Sequence, residues 1–359
     1  MNYHPAISRR VAPAAYPFRL VRHGATLAMA LCGWVALTLG AAARTSPAPE
    51  PTCIIFDTDM GNDIDDAMAL ALLHALQARG QCRILAVTLT KNDPLAGPFV
   101  AALDTFYGHG AIPIGVRRDE GGKNNENRFL KLADAHDGEH LRYPRDFDNA
   151  AAPEAKELLR KTLAAQPDGS VVVVQVGFFS NLAGLLGSPA DKALVMKKVR
   201  LLSVMAGAFQ TVEHNNHFLE YNVVCDIPAA RQLAQDWPTP IVWSGFEIGI
   251  ALKYPAASIE HDFNYVPHHI IAEAYCLYQP PPHERPTWDL TAALVAARAD
   301  AGYFDLSPPG RVTVEADGFT RFTPEAAGRD RFLILNTSQM ARTREALVQL
   351  VSQPAECQN

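Results

Sequence analysis

Five carboxylates fall within ten residues of this chain: Asp57, Asp59, Asp63, Asp65 and Asp66, in the stretch Ile54-Ile55-Phe56-Asp57-Thr58-Asp59-Met60-Gly61-Asn62-Asp63-Ile64-Asp65-Asp66-Ala67. Asp65 and Asp66 suit the first turn of a helix, where the dipole favours acids. Asp57 and Asp59 have no such place, because they directly follow an apolar run that reads as a buried strand. Carboxylates crowded into a dry site repel one another. A hard cation relieves that repulsion: Ca²⁺ takes six to eight oxygen ligands and Mg²⁺ about six, largely from carboxylates and carbonyls. The cluster therefore points to a bound divalent cation.

The elements around the cluster repeat one theme. Cys53 to Phe56 is a short apolar strand. Ala67, Leu70, Ala71, Leu73 and Ala75 then recur at helical spacing between Asp65 and Arg79, with Gly80 as the stop. Arg83 to Leu89 is a second strand, and a crossover of that length implies parallel pairing. Val171 to Val176 is β-branched on both faces, as a strand covered on both sides must be. Val199 to Met205 and Ile241 to Trp243 are further buried strands, with helical patterns at Asn181 to Leu186 and Ile227 to Trp237. Val312 to Val314 and Phe319 to Phe322 flank Asp317-Gly318, a hairpin turn. The expected fold is a single α/β domain over residues 53–350 with a mainly parallel, Rossmann-like open sheet flanked by helices and a small C-terminal β-hairpin. The region from Arg117 to Pro153 reads as loop-rich. In such sheets ligands sit beyond the carboxyl ends of the strands, and the acidic cluster stands at one of those ends.

The 359 residues are 48% hydrophobic and 19% charged, a globular balance that argues against disorder and against a disulfide-stapled miniprotein. The formal charge is −6 and no basic block occurs, so nucleic acid is not an expected partner. Residues 1–43 hold Arg9, Arg10, Arg19 and Arg22 and no acid, then an apolar run to Leu39 and small residues ending at Ala43. This pattern predicts an export signal cleaved near Ala43, a linker over 44–52, and contact with a membrane only in transit. Five cysteines would remain, Cys53, Cys82, Cys225, Cys276 and Cys357. An odd number leaves at least one unpaired within a monomer, while Cys53 and Cys82 could face each other at the starts of neighbouring strands.

The stretch D-T-D-M-G-N-D-I-D-D-A resembles the N-terminal signature of the nucleoside hydrolases of the inosine–uridine-preferring type, D-x-D-P-G-x-D-D-A. Further blocks follow in order. Ala86-Val87-Thr88 through Asn92 is similar to the family's second strand and following Asn. Val174 to Gly177 with Asn181-Leu182-Ala183, Met205-Ala206-Gly207, and Glu220-Tyr221-Asn222 with Asp226 resemble later blocks, and Trp288-Asp289 takes the place of a His-Asp pair. The resemblance implies a Ca²⁺-dependent hydrolase of the N-glycosidic bond of ribonucleosides. Ca²⁺ would be held by Asp59, Asp66, Asp289 and the carbonyl of Val176, with Asp59 also acting as general base. Ribose would be bound by Asp65, Asn92, Glu220 and Asn222, with Met205 against the sugar and Asp57 supporting the ligands. It also implies a small-molecule nucleoside as partner and a homodimer or homotetramer. Three departures stand out: an acidic loop with two extra residues including Asp63 and with Met60 in place of Pro, an export signal unlike that of cytosolic members, which suggests salvage of scavenged nucleosides, and Trp288 in place of the His that could protonate the leaving base. An indole cannot serve as that acid but can stack on a purine, which favours purine substrates. Two other readings remain open: an exported sugar- or nucleoside-binding protein on the same fold, and a Mg²⁺-dependent phosphatase of the haloacid dehalogenase type with Asp57 as nucleophile. The later Gly-Asp…Asp motif of that phosphatase family is not found here.

Overall fold

The computed structural model describes residues 50–119 and 127–355. The export signal expected over residues 1–43, most of the linker, and Cys357 lie outside the described residues. Among the described residues no helix is long and apolar enough to cross a membrane.

One sheet organises the chain. Its strands are β1 Thr52–Thr58, β2 Cys82–Leu89, β3 Ile114–Gly115, β4 Val171–Gln175, β5 Val199–Met205, β6 Ile241–Ser244, β7 Asp305–Leu306, β8 Gly310–Val314, β9 Thr320–Pro324 and β10 Asp330–Ile334. The spatial order is β9-β8-β10-β6-β5-β4-β1-β2-β3, with β7 paired to β10. From β10 across to β3 every neighbour is parallel. The expected parallel strands are all present, and the region from Arg117 to Pro153 is mostly irregular where described. The expected hairpin is β8–β9. It does not stand apart: β10 lies between it and β6 and makes it the continuation of the main sheet. Periodicity does not mark β10, because its residues, Asp-Arg-Phe-Leu-Ile, are only partly buried and open on charges.

Chain order fixes where a ligand can sit. The chain runs outward through β1, β2 and β3, then returns to the other side of β1 as β4. The crevice between the carboxyl ends of β1 and β4 is thus a topological switch point, where the outgoing connections diverge and leave space. The two sheet faces are packed separately. Ile54, Phe56, Val172 and Val174 face the helices Asp65–Ala78 and Trp288–Ala297, while Ile55, Val171 and Val173 face the opposite layer with Leu159, Leu182 and Leu233. Helix Asp65–Ala78 is buried on all sides from Asp65 to Leu76, because the helices Trp288–Ala297 and Thr337–Val351 cover its outer face. Strand register overrules the expected meeting of two cysteines. Cys82 lies opposite Thr52, and Cys53 lies opposite Arg83. Cys82 Sγ donates to the Leu73 carbonyl, and the four described cysteines are free.

Gly177, directly after β4, lets two strand ends close up. A Cβ there would stand 2.5 Å from Thr90 Oγ1 and 2.8 Å from the Thr58 carbonyl carbon. Backbone on that side cannot yield as a flexible side chain could. Gly177→Ala is therefore expected to lower stability by about 1–3 kcal/mol, read as a lower Tm by thermal unfolding. Gly187→Ala, at a helix end with φ −69° and no close contact, should stay within about 0.5 kcal/mol of the wild type.

Candidate active site

A cavity of about 260 Å³ opens at the switch point, lined by Asp59, Asp65, Asp66, Val176, Met205, Glu220, Asn222 and Asp289. Tyr221, Phe246, Tyr278, Arg285 and Trp288 also line it, and the Trp288 ring lies 4.9 Å from that of Phe246.

The acids come from two helix starts and one strand end. Carboxylate oxygens of Asp65, Asp66 and Asp289 all lie within 4.8 Å of one another. Asp65 and Asp66 open helix Asp65–Ala78, and Asp289 is the second residue of helix Trp288–Ala297. Asp65 Oδ2 accepts the main-chain N–H of Asp289 at 3.1 Å, so the acid of one helix start caps the other. Both dipoles present their positive ends to the cluster. Asp66 accepts from the Thr58 hydroxyl, and Asp59 accepts from the Asn62 amide.

Electrostatically the cluster is unbalanced. Burial pushes Asp59 up to about 6 and Asp65 up to about 7. Asp66 and Asp289 are driven well above the ordinary carboxylate range, first by burial and then by the charges of their acidic neighbours. Oxygen donors that are buried, convergent and mutually repelling suit a hard divalent cation, and this buried acidic cluster could bind a metal.

The other candidates lie on the cavity lining or behind it, with one exception. Glu220 caps the short helix Tyr221–Cys225. Its carboxylate accepts the N–H groups of Asn222 (2.9 Å), Val223 (3.2 Å) and Gly207 (3.1 Å), while burial raises it to about 7. Asn222 donates its amide to the Val176 carbonyl at 2.9 Å and touches Met205. Asp57 sits behind the cavity wall, fully buried. It accepts from Thr88 and Asn181, and its Oδ2 has no partner. Asn92 is the exception and a correction. It does not line the cavity; its amide donates to the carbonyls of Arg118 (3.1 Å) and Asp119 (2.9 Å). The inward place belongs to its neighbour Lys91, which is 1% exposed and donates from Nζ to Asn62 Oδ1 at 2.9 Å. The reason is the early end of β2 at Leu89, after which the chain turns and carries Asn92 outward. Lys91 thereby reaches Asp59 through Asn62 and draws its carboxyl back toward ionisation.

A model of the inosine-uridine preferring nucleoside hydrolases matches residues 54–331. The chain belongs to that family. Its members act on N-glycosyl bonds, so this nucleoside hydrolase takes a small nucleoside-type substrate. Solved structures agree on the fold. A plant nucleoside hydrolase superimposes with a TM-score of 0.66 at 21% identity, covering 85% of this chain and all of that one. A purine-preferring ribonucleoside hydrolase from Gardnerella vaginalis gives 0.66 at 16%, covering 84% and 99%. The type III effector protein XopQ, complexed with adenosine diphosphate ribose, gives 0.64 at 16%, covering 85% and 95%. Curated proteins supply no significant sequence match.

Several site residues carry little signal in the sequence: Asn62, Lys91, Phe246, Tyr278 and Arg285. Lys91 has some, as a lysine two residues past a buried strand. Tyr278 and Arg285 have almost none, being brought in by tertiary packing. Trp288 gives its indole N–H to the Phe246 carbonyl at 2.9 Å, which fixes the ring. Its body abuts Gly249, where a Cβ would collide with the indole.

These raised carboxyls set a direction for pH. A carboxyl whose folded pKa lies above its unfolded value contributes stability that is lost as pH rises through the folded value. The metal-free protein should therefore lose stability between about pH 4 and pH 7, the window of Asp57, Asp59, Asp65 and Glu220. A bound divalent cation should abolish that slope. Tm measured from pH 5 to pH 8, in chelator and with added cation, checks both.

Proposed function

We infer that this protein is a Ca²⁺-dependent ribonucleoside hydrolase with a preference for purines, acting outside the cytoplasm. One observation carries the reading: Asp59, Asp65, Asp66, Val176 and Asp289 line one cavity together with Phe246, Tyr278 and Trp288. Oxygen-only donors with three or four carboxylates favour Ca²⁺ over softer metals. Asp59, Asp66, Asp289 and the Val176 carbonyl would hold the ion, with Asp65 adjoining them. When bound, the cation supplies polarisation of a water and of ribose hydroxyl oxygens.

The chain's own residues account for the rest. Asp59 takes the proton from the attacking water. Burial raises its carboxyl in the metal-free site, and a bound cation, like Lys91, would draw it back toward the ionised form that a general base needs. Asn62, itself held by Lys91, aims that carboxylate. Asp65, Glu220 and Asn222 bind ribose hydroxyls, and Met205 packs on the sugar. As the bond from C1′ to the base nitrogen lengthens, positive charge grows on the ribose. The carboxylates around it stabilise that oxocarbenium-like state. Trp288, Phe246 and Tyr278 line the cavity as aromatic neighbours for the base, which supports the purine preference. The basic N-terminal segment, its apolar run and the small residues ending at Ala43 support export.

Ribose release from a panel of purine and pyrimidine ribonucleosides tests this reading. Release should require Ca²⁺, stop in chelator, and fall by roughly 10²–10⁴-fold in Asp59→Asn. Silence across the panel with Ca²⁺ still bound would favour a binding protein.

A further inference from the structure

Departure of the base is the half of the reaction that the carboxylates cannot assist. Breaking the bond to C1′ leaves an electron pair, and so negative charge, on the base. In the family pattern a His stands where this chain has Trp288, and the Trp288 N–H is already spent on the Phe246 carbonyl. Among the described residues that line the cavity, Arg285 is the cation. It stands beside aromatic rings, with its guanidinium 4.9 Å from the Trp288 ring and 5.0 Å from the Tyr278 ring.

The arginine is held from several directions. Its backbone pairs with Tyr254 in a short antiparallel ladder, and its N–H donates to the Tyr275 hydroxyl at 3.0 Å. Its guanidinium forms an ion pair with Asp63, one of the extra residues in the acidic loop. Asp63 is held in turn, because its Oδ1 accepts the Ile64 N–H at 2.6 Å. Arg285 Nε is buried with no hydrogen-bond partner, so the protein does not use all of its donors. The two departures from the family pattern, the inserted Asp63 and the substituted Trp288, therefore meet on one side chain.

We propose that Arg285, aimed by Asp63 and laid against Trp288 and Tyr278, stabilises the departing base and selects 6-oxopurines. This rests on the ribohydrolase reading above. The C1′–N9 bond breaks heterolytically and its electron pair passes into the purine, spreading toward N7 and O6. Water oxygen bonds to C1′, and its proton goes to Asp59. Arg285 keeps its proton, since a guanidinium does not act as an acid here; it donates hydrogen bonds to the growing negative charge. The purine anion then takes a proton from solvent, and Asp59 returns its own. A guanidinium presents paired donors that match the adjacent N7 and O6 acceptors of hypoxanthine or guanine. Adenine offers a donor at N6 instead and fits worse. Asp63 is a positioning residue: it fixes the guanidinium to the loop that carries Asp59 and Asp65.

The test compares inosine, adenosine and 4-nitrophenyl riboside in the wild type, Arg285→Gln and Asp63→Asn. Nitrophenolate departs unaided, so that substrate isolates the sugar half of the reaction and reports folding. Arg285→Gln should lose roughly 10²–10³-fold in kcat on inosine, yet stay within about fivefold of wild type on 4-nitrophenyl riboside. Asp63→Asn should lower the same ratio by a smaller factor. The wild type should favour inosine over adenosine by roughly 10- to 100-fold, and Arg285→Gln should narrow the gap. Equal losses on inosine and 4-nitrophenyl riboside, or unchanged inosine turnover, would overturn the assignment of Arg285 alone. A wild type inert on all three would overturn the ribohydrolase reading itself.

Discussion

Mutual repulsion among buried carboxylates is the constraint on which the rest of this structure depends. Asp59, Asp65, Asp66 and Asp289 are each less than a tenth exposed, and no apolar packing can make that arrangement comfortable. The chain answers with donors: two helix starts, the Thr58 hydroxyl, the Asn62 amide and the main-chain N–H of Asp289. These spread the charge without cancelling it. A site with a deficit of positive charge, open to a cavity, is built to be completed by what binds there.

The sheet makes that deficit possible in one place. The crevice beside β1 exists because the chain leaves β1 in one direction and returns to it from the other. Gly177 then lets the ends of β1 and β4 approach closely, and Val176 and Asp59 line the same cavity. The same cavity is lined by carboxylates and amides and by aromatic rings. Lys91, buried nearby, and Arg285, on the cavity lining, are tied to the acidic loop through Asn62 and Asp63.

Much of this was legible in the amino-acid sequence, for physical reasons. The parallel strands betray themselves by β-branched runs such as Val171 to Val174, because both faces must be apolar. The acids betray themselves because five carboxylates beside such a run would repel one another unless a cation joined them. Block order then located Val176, Met205, Glu220, Asn222 and Asp289, all of which line the cavity. What stayed hidden depends on tertiary geometry. Asn92 and Lys91 are neighbours, and only the point at which β2 ends decides which of them faces inward. β10 is charged at its start and half-covered, so no alternation gives it away. Arg285 and Tyr278 lie in a stretch with little pattern, and they acquire a role only once Trp288 and Asp63 are beside them.

The bond from Asp289 N–H to the Asp65 carboxylate joins residues 224 positions apart. Asp59, Asp65 and Asp66 emerge early in the chain, yet Asp289 and the helix dipole it brings arrive only when most of the domain has been made. Loop closure over that distance is among the slowest contacts for a domain to establish. The earlier strands can pair without it, but the cluster cannot acquire its final geometry. The geometry of the acidic cluster thus depends on helix Trp288–Ala297 lying beside helix Asp65–Ala78, a contact between distant parts of the chain.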